Sequence, residues 1–520
     1  MSKSARPIQR SISLGLIGLI ILVLGVRLSF VGHGAMALPD EERYFESVEA
    51  VKSLAASDVQ AACAHLIRTQ GRPGDALLRL IPAGAQGVFH AVGGPGPHEL
   101  ESLMIPVLFT YGVSVLSLLL YYRLAQQLLA SNLGALVSTL LYACLTNSNL
   151  YIRHILPYEL ALCCFLVLLL WLVRAERQGR TLGLGATYGL GLGAAFVFTV
   201  YPGYFLAPLL LLVVLLNQQK DLRLKPRLYQ VGAFSGGVLS VLGFFEMLGR
   251  LSGYSYLKSC LRLSGTITQG DFRESFVFLI KYLLEAEGML GIALFCLVAS
   301  ALVVGLSQVG RAKVRLRVIE ILHKHALYLG ALGAFLAYAA LSFFGHKLVF
   351  YGRILHLFFP FLVLFAVGFW FRRIRPRAQL LLTVALAGIA LCSFGSFAVR
   401  YRAVFYPYDL LAQPSADLAQ RKVSFRSQTE LSDNADHYLA RQHLARNTTG
   451  KGEAVLLNFG NLYPIVGTSC NPLPLPPGYR LVFSAPHFLT IPAYGFEGFT
   501  PHERAMLRQC HYQCQIFVRP

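Results

Sequence analysis

The sequence predicts an all-α polytopic membrane protein, with loops on its outer face and a small α/β domain at its C-terminal end. Of the 520 residues, 55% are hydrophobic and only 14% are charged, which suits a lipid bilayer better than water. Long apolar runs recur along the chain, and about 18 apolar residues are enough to cross roughly 30 Å of hydrocarbon as a helix. Basic residues also collect in every second loop, as they do in proteins that cross a membrane repeatedly.

The predicted membrane domain covers residues 1–400 and contains about 11 transmembrane helices. Their approximate spans are 12–30, 104–122, 133–147, 156–173, 182–200, 203–216, 231–249, 289–308, 326–344, 354–371 and 378–397. The runs 133–147 and 203–216 are short for a membrane span, so the count depends most on them.

The distribution of Lys and Arg predicts the orientation of these helices. Lys3, Arg6 and Arg10 precede the first span, and four later loops on the same side carry basic clusters within 174–180, 220–227, 311–324 and 372–377. Since such loops stay on the cytoplasmic side, we expect a multi-pass protein of the cell inner (plasma) membrane with a cytoplasmic N-terminus. Much of the formal charge of +20 is then a topology signal, and we expect no nucleic-acid partner.

The segment 31–103 is predicted to be a structured first outer loop. Pro39 followed by Asp40 and Glu41 is typical of a helix start, since Pro suits the first helical position and acids complement the helix dipole. Apolar residues then recur at helical spacing as far as 55, which predicts an amphipathic helix along the outer membrane surface. Clustered Gly and Pro between 71 and 97 predict turns and loop.

Residues 401–520 are less apolar and are predicted to form the small extracytoplasmic α/β domain. Short apolar runs at 454–459, 480–483 and 515–518 are typical of strands, and Thr500-Pro501-His502-Glu503 is typical of a helix start. Cys470, Cys510 and Cys514 could supply one disulfide in an oxidising compartment. No cofactor is required by any motif, while a divalent metal is left open.

Polar residues mark the outer ends of the spans, whereas the span centres are nearly free of charge. The outer set comprises Asp40, Glu41, Arg153, His154, Glu159, Glu246, Glu285, Glu287, His346, Lys347 and Arg353. The sequence has no Walker loop, which argues against a nucleotide-driven pump. A polysaccharide or lipid transporter, a polymerase-like surface-glycan protein and a non-catalytic assembly protein remain alternatives.

Three short motifs resemble those of the C-type glycosyltransferase superfamily, in particular lipid A aminoarabinose transferases and protein O-mannosyltransferases. Asp40-Glu41-Glu42-Arg43-Tyr44 is similar to an Asp-Glu-x-Arg-Tyr motif in their first outer loop. The segments 153–159 and 346–360 look like two of their later outer connections. The chain departs from the aminoarabinose transferases at 70–74, where Gln-Gly-Arg-Pro-Gly replaces a Lys-Pro-Pro-type motif. The sugar and acceptor of that subfamily are therefore not carried over.

The resemblance implies a membrane glycosyltransferase that moves a sugar from a polyprenyl-phosphate-linked donor to a lipid, glycan or protein acceptor on the extracytoplasmic face. Such a reaction needs a base for the acceptor hydroxyl and cations for the departing phosphate. Asp40 is the first candidate for the base and Glu41 the second, since on a helix Glu41 points about 100° away from the face of Asp40. In-line attack would invert the anomeric centre. The candidate substrate-binding residues are Arg43, Tyr44, Arg153, Glu159, His346, Lys347, Tyr351 and Arg353.

Overall fold

The fold is that of a multi-pass membrane protein, seen in a computed structural model. The structure describes residues 5–32, 39–69, 71–129, 131–218, 224–267, 277–309, 325–345, 352–403, 424–427, 454–458, 478–487 and 512–518. Within these ranges, eight helices are long and apolar enough to cross a membrane. Three shorter apolar helices, Asn132–Cys144, Leu184–Val200 and the segment Pro202–Asn217, match the remaining predicted runs.

The described α-helices are numbered in chain order. The first eight are α1 (Ala5–Leu28), α2 (Tyr44–Ala55), α3 (Val59–Ile67), α4 (Pro73–Ala91), α5 (Leu100–Leu129), α6 (Asn132–Cys144), α7 (Tyr158–Arg177) and α8 (Leu184–Val200). The next eight are α9 (Ala207–Gln218), α10 (Leu224–Leu251), α11 (Tyr256–Ile267), α12 (Phe278–Glu285), α13 (Gly288–Val309), α14 (Ala326–Gly345), α15 (Gly352–Phe371) and α16 (Pro376–Ala403). Two 3₁₀ turns, Pro39–Arg43 and Pro202–Tyr204, precede α2 and α9.

Helices α6, α7 and α15 form the centre of the bundle. Every residue of α6 after Asn132 is buried, and α7 and α15 are the most enclosed of the eight long apolar helices. Their apolar side chains belong to one continuous core that also takes in α1, α5, α8 and α9. Helices α7 and α15 are apolar on all sides, and most of their surface packs against other helices of the bundle.

The segment 71–97 differs from its sequence prediction, because most of it is the helix α4 rather than loop. Pro73 occupies the first turn of α4, where its missing N–H costs nothing, and Asp75 complements the dipole there. Only Gly71, Arg72 and the part after Ala91 are not helical. Gly and Pro are thus clustered at the two ends of a helix, a pattern that composition alone does not separate from a loop.

The helix predicted along the membrane surface is α2, but its apolar face packs against protein. Tyr44 and Val48 are 1% and 2% exposed and lie in a cluster with Ala83 of α4 and Leu103 and Val107 of α5. Helical spacing shows that one face is apolar without showing what covers it.

Residues 145–157 connect α6 to α7 and are buried throughout although they are not helical. We call this segment the buried loop. Loops usually run over the surface because their backbone groups need partners. Here charged side chains from distant segments provide several of them, and these contacts are described with the site.

Four strands are described in the C-terminal part: β1 (Ser424–Ser427), β2 (Ala454–Asn458), β3 (Arg480–His487) and β4 (Tyr512–Val518). They form one sheet in the order β1-β2-β4-β3, with β1 parallel to β2 and the other pairs antiparallel. Three strands coincide with the predicted apolar runs, and β1 was not predicted. The helix predicted at 500–503 and the cysteines at 470 and 510 lie outside the described residues.

Candidate functional site

Asp40 lies in the 3₁₀ turn Pro39–Arg43, directly before α2. Its Oδ1 forms an ion pair at 2.7 Å with Nη1 of Arg43, three residues later in the same turn. The Asp40 side chain is 23% exposed, so solutes can reach it. The turn thus presents a carboxylate together with a cation from the same short stretch of sequence.

Arg72 brings a second cation to Asp40 from the start of α4. Its Nη1 lies 3.3 Å and its Nη2 3.4 Å from Asp40 Oδ2. Two glycines permit this position: Gly71 has a φ of +83°, and a Cβ on Gly74 would lie 2.9 Å from the backbone of Thr199. The start of α4 can therefore approach the end of α8 closely, which places Arg72 beside Asp40.

Arg353 brings a third cation from the first turn of α15. Its Nη1 is 3.2 Å from Asp40 Oδ2. Its guanidinium also lies over the ring of Tyr158, 5.5 Å from the centroid, and that of Arg72 lies over Tyr201 at 5.6 Å. Both rings are buried and pack edge to face on each other, so two of the three cations lie against a fixed aromatic surface.

A cavity of about 230 Å³ opens at this cluster. Its polar wall is formed by Asp40, Arg43, Arg72 and Arg353. Its apolar wall is formed by Tyr201, Pro202, Gly203, Phe205, Leu263 and Ile354. Small-molecule pockets usually measure about 300–1,000 Å³, so this cavity suits a phosphate with part of a sugar rather than a whole lipid-linked molecule.

Electrostatics make the cavity a site for anions. Its described lining carries three guanidiniums and one carboxylate, a net charge of +2. Burial acts to raise the pKa of Asp40, but Arg72, Arg43 and Arg353 outweigh it and hold that pKa well below its usual range. Burial, followed by the charge of Arg72, lowers the pKa of Arg43. The cations therefore repel one another and would gain from a bound anion.

Glu41, the second candidate for the base, does not line the cavity. Its side chain is fully buried and accepts a hydrogen bond of 2.7 Å from the backbone N–H of Ile155, with Nδ1 of His154 at 3.3 Å. These contacts join the 3₁₀ turn of Asp40 to the buried loop. Glu41 thus holds the 3₁₀ turn of Asp40 against the buried loop, outside the cavity.

Two cations also support the buried loop. Arg27, at the end of α1, is 1% exposed and donates to the carbonyl of Ala143 and to Asn149 Oδ1, both at 2.7 Å. Arg79 of α4 donates to the carbonyl of Leu156 at 2.7 Å. Hydrogen bonds to charged groups contribute about 1.5–3 kcal/mol each, which offsets the cost of burying this backbone.

A chain of buried polar groups continues from the loop towards Arg353. The carboxylate of Glu287 accepts from the backbone N–H of Thr146 at 2.6 Å and of Asn147 at 2.9 Å. The Asn147 side chain donates to the carbonyl of Gly352 at 2.8 Å and contacts Nδ1 of His356 at 3.0 Å. The start of α15, and with it Arg353, is thereby tied to the buried loop.

Glu287 gives this network a pH dependence that can be measured. Burial raises the pKa of Glu287 to about 7, although its two backbone hydrogen bonds act to lower it. In the unfolded chain a glutamate titrates near about 4.3, so between there and about pH 7 the unfolded state loses a proton that the folded state keeps. The free energy of unfolding should fall across this window as pH rises, by on the order of 3 kcal/mol.

We expect Glu287→Gln to flatten this decline while lowering stability, because the side-chain NH2 of Gln replaces one of the two oxygens that accept from Thr146 and Asn147. Thermal unfolding in detergent between pH 5 and pH 7 measures it. Equal slopes for the variant and the unmodified protein would contradict the assignment to Glu287.

The remaining predicted site residues lie elsewhere. Tyr44 is buried and donates to Oε1 of Gln86, away from the cavity. Arg153 is 1% exposed within the buried loop, and Glu159 lies 3.1 Å from Nε2 of His356 rather than in the cavity. Three predicted substrate-binding residues, His346, Lys347 and Tyr351, lie outside the described residues.

The structure adds residues that sequence reasoning missed. Arg72 has no role in the sequence prediction, although the structure places its guanidinium beside Asp40. Arg27 could have been found as a charge at the end of an otherwise apolar run, because such residues are rare and have specific partners. Asn147 and His356 have no sequence pattern that distinguishes them from ordinary polar residues of a helical bundle.

Among the described residues, no group of three or more His, Cys, Asp or Glu side chains is arranged to hold a metal ion. No protein-family model matches the chain, and no curated protein is similar to it. The interpretation of the cavity therefore depends on its geometry and charge.

Proposed function

We propose that the protein is a membrane glycosyltransferase. It would move a sugar from a polyprenyl-phosphate-linked donor to a lipid, glycan or protein acceptor, with inversion at the anomeric carbon. The observation that carries this proposal is the cavity in which one carboxylate faces three guanidiniums. A carboxylate can accept a proton from a hydroxyl, and guanidiniums bind phosphate oxygens in a bidentate manner.

The reaction assigns a role to each charge. The acceptor hydroxyl oxygen attacks the anomeric carbon as its proton passes to Asp40, and a new C–O bond forms. The bond from the anomeric carbon to the phosphate oxygen breaks, and its electron pair leaves with the polyprenyl phosphate. Arg72 and Arg353, with Arg43 nearby, would stabilise the negative charge that grows on that phosphate.

The positions of the basic clusters support a cavity on the extracytoplasmic face. Helix α7 begins at Tyr158 beside the cavity and has Arg174 and Arg177 in its last turn, and α15 has Arg353 in its first turn and ends before Arg372. Each helix has 20 residues, or about 30 Å, so the cavity and the basic clusters lie at opposite ends. If basic loops stay in the cytoplasm, the cavity faces outward. We also propose that the protein lies in the inner membrane, crosses it eleven times and has its C-terminal domain on the extracytoplasmic side.

We expect a periplasmic-type reporter to be active when fused after Tyr408 and inactive when fused after Arg180. The reason is that the arginines at 372–377 keep the connection between α15 and α16 in the cytoplasm. The chain after α16 therefore emerges on the other side of the membrane. A cytoplasmic-type reporter should give the reverse pattern. Cytoplasmic activity after Tyr408 would place the cavity on the wrong side for this proposal.

The function itself is tested by comparing envelope glycolipids, glycans and glycoproteins of cells with and without the gene by mass spectrometry. We expect a product to lose the mass of one sugar and a polyprenyl-phosphate sugar to accumulate. The purified protein in nanodiscs should then restore the lost sugar to that acceptor from the accumulated donor. Loss of a glycan without donor accumulation, and no transfer by the purified protein, would favour an assembly role.

A further inference from the structure

We infer that Arg72 and Arg353 are shared between two anions: without donor they bind Oδ2 of Asp40, and with donor they bind its phosphate and release Oδ2 to act as the base. This inference rests on the proposed function and deepens it. It assigns separate tasks to the two carboxylate oxygens, and it makes donor binding the event that activates the base.

The distances distinguish the two oxygens of Asp40. Oδ1 forms an ion pair with Nη1 of Arg43 at 2.7 Å. Oδ2 has two guanidiniums at 3.2 to 3.4 Å, longer than the usual range of about 2.7–2.9 Å. The contacts to Oδ2 are therefore the longer ones, and they are the ones that a stronger anion would displace.

Arg72 and Arg353 are also held in place by groups other than Asp40. Each lies over the face of a buried tyrosine, Tyr201 and Tyr158 respectively, and these two rings pack with centroids 4.8 Å apart. The start of α15 is further tied to the buried loop through Asn147. Both guanidiniums can therefore exchange the carboxylate for a phosphate while their stems and stacking partners stay where they are.

The charge of the cavity explains why this exchange would matter. Asp40 is surrounded by cations that oppose its protonation, so in the empty cavity it is a weak base for a sugar hydroxyl. A phosphate placed between Arg72 and Arg353 neutralises part of the net charge of +2 and removes the partners of Oδ2. Base strength then rises only when a donor is present.

The test measures binding of farnesyl phosphate, a short polyprenyl phosphate, to the full-length protein in nanodiscs, with farnesol as the uncharged control. If Asp40 competes with the phosphate for two guanidiniums, Asp40→Asn should bind farnesyl phosphate more tightly, on the order of tenfold, although it removes a residue of the site. Arg72→Ala and Arg353→Ala should each bind it at least about tenfold more weakly. Farnesol binding should be the same in all variants.

Two matched variants control for charge and surface effects. Glu49→Gln removes a carboxylate that pairs with Lys52 outside the cavity, and Arg250→Ala removes a cation whose side chain is 73% exposed. Neither should change farnesyl phosphate binding by more than about twofold. Tighter binding by Glu49→Gln would assign the effect to overall charge and overturn the inference.

The possible failures are distinguishable. If the two arginine variants bind farnesyl phosphate weakly but Asp40→Asn binds it no better than the unmodified protein, the inference is wrong and the proposed function stands. If farnesyl phosphate does not bind, or binds equally well without Arg72 and Arg353, the phosphate site and the proposed function both fail.

A second measurement uses the unmodified protein and does not depend on a variant that folds. In a pH profile of kcat/KM for the donor, the acid limb reports ionisation in the free protein. In a pH profile of kcat, measured at saturating donor, the acid limb reports ionisation in the donor complex. We expect the limb at saturating donor to lie at higher pH, because Oδ2 has then lost its two guanidinium partners. Coincident acid limbs would show that donor binding leaves Asp40 unchanged and would overturn the inference.

Discussion

Asp40→Asn is expected to lower the rate of sugar transfer by on the order of a hundredfold to ten-thousandfold, the range for removing a general base. Asn is nearly isosteric with Asp, so it keeps the shape of the side chain while losing the ion pair with Arg43. It cannot hold the proton of the acceptor hydroxyl. The measurement is the product formed from a polyprenyl-phosphate sugar by the purified variant in nanodiscs, with thermal unfolding to confirm that the protein is folded.

Glu41→Gln is the paired control, because the carboxylate of Glu41 is buried and contacts the backbone of Ile155 instead of lining the cavity. Gln can keep that hydrogen bond, so we expect at most about a tenfold loss of transfer. Some loss of stability should accompany it. Near-normal turnover by Asp40→Asn together with an inactive, folded Glu41→Gln would mean that the base is misassigned. Near-normal turnover by both would refute the mechanism.

Arg353→Ala is expected to raise the KM for the donor by about tenfold to a hundredfold, since a hydrogen bond to a charged group contributes about 1.5–3 kcal/mol. Arg72→Ala should behave similarly, because its guanidinium lies on the same oxygen of Asp40. Lys347→Ala is expected to have the same effect on sequence grounds. Initial rates over a range of donor concentrations measure the change.

Arg353→Lys separates charge from geometry in this prediction. Lysine keeps the positive charge but lacks the planar pair of donors and the stacking on Tyr158, so we expect it to restore only part of the donor affinity. Arg250→Ala, at an exposed ion pair on α10, serves as the matched control and should leave the KM unchanged. An unchanged KM in all of the cavity variants would make these arginines simple anchors at the membrane surface.

The membrane helices could be predicted from sequence because length and hydropathy are local properties. Each of the eleven apolar runs coincides with a described helix, and eight of these helices are long and apolar enough to span a membrane. Helix α4 was missed because its ends are rich in Gly and Pro while its interior carries polar residues such as Arg79 and Gln86. Those two side chains make buried hydrogen bonds that appear only after α5 and the buried loop pack on α4.

The candidate site could be predicted only in part. Asp40 and Arg43 are close in sequence, so a motif can mark them, and Arg353 was proposed from a resemblance. The contact between Asp40 and Arg353 joins residues 313 positions apart, and no local pattern encodes such a contact. Arg72 enters through the turn at Gly71 and the close approach at Gly74, which depend on where α8 ends.

The buried loop has a consequence for how the chain is made. Its partners Arg27 and Glu41 leave the ribosome before it, but Glu287 is synthesised about 140 residues later than the amides it binds. Until then those amides lack their acceptor, and an unsatisfied backbone group surrounded by lipid costs several kcal/mol. Nascent chains that stop before α13 should therefore be recognised by membrane proteases, whereas chains that include it can complete the loop. Assembly of the end of the bundle that holds the cavity would then be among the last steps of co-translational insertion.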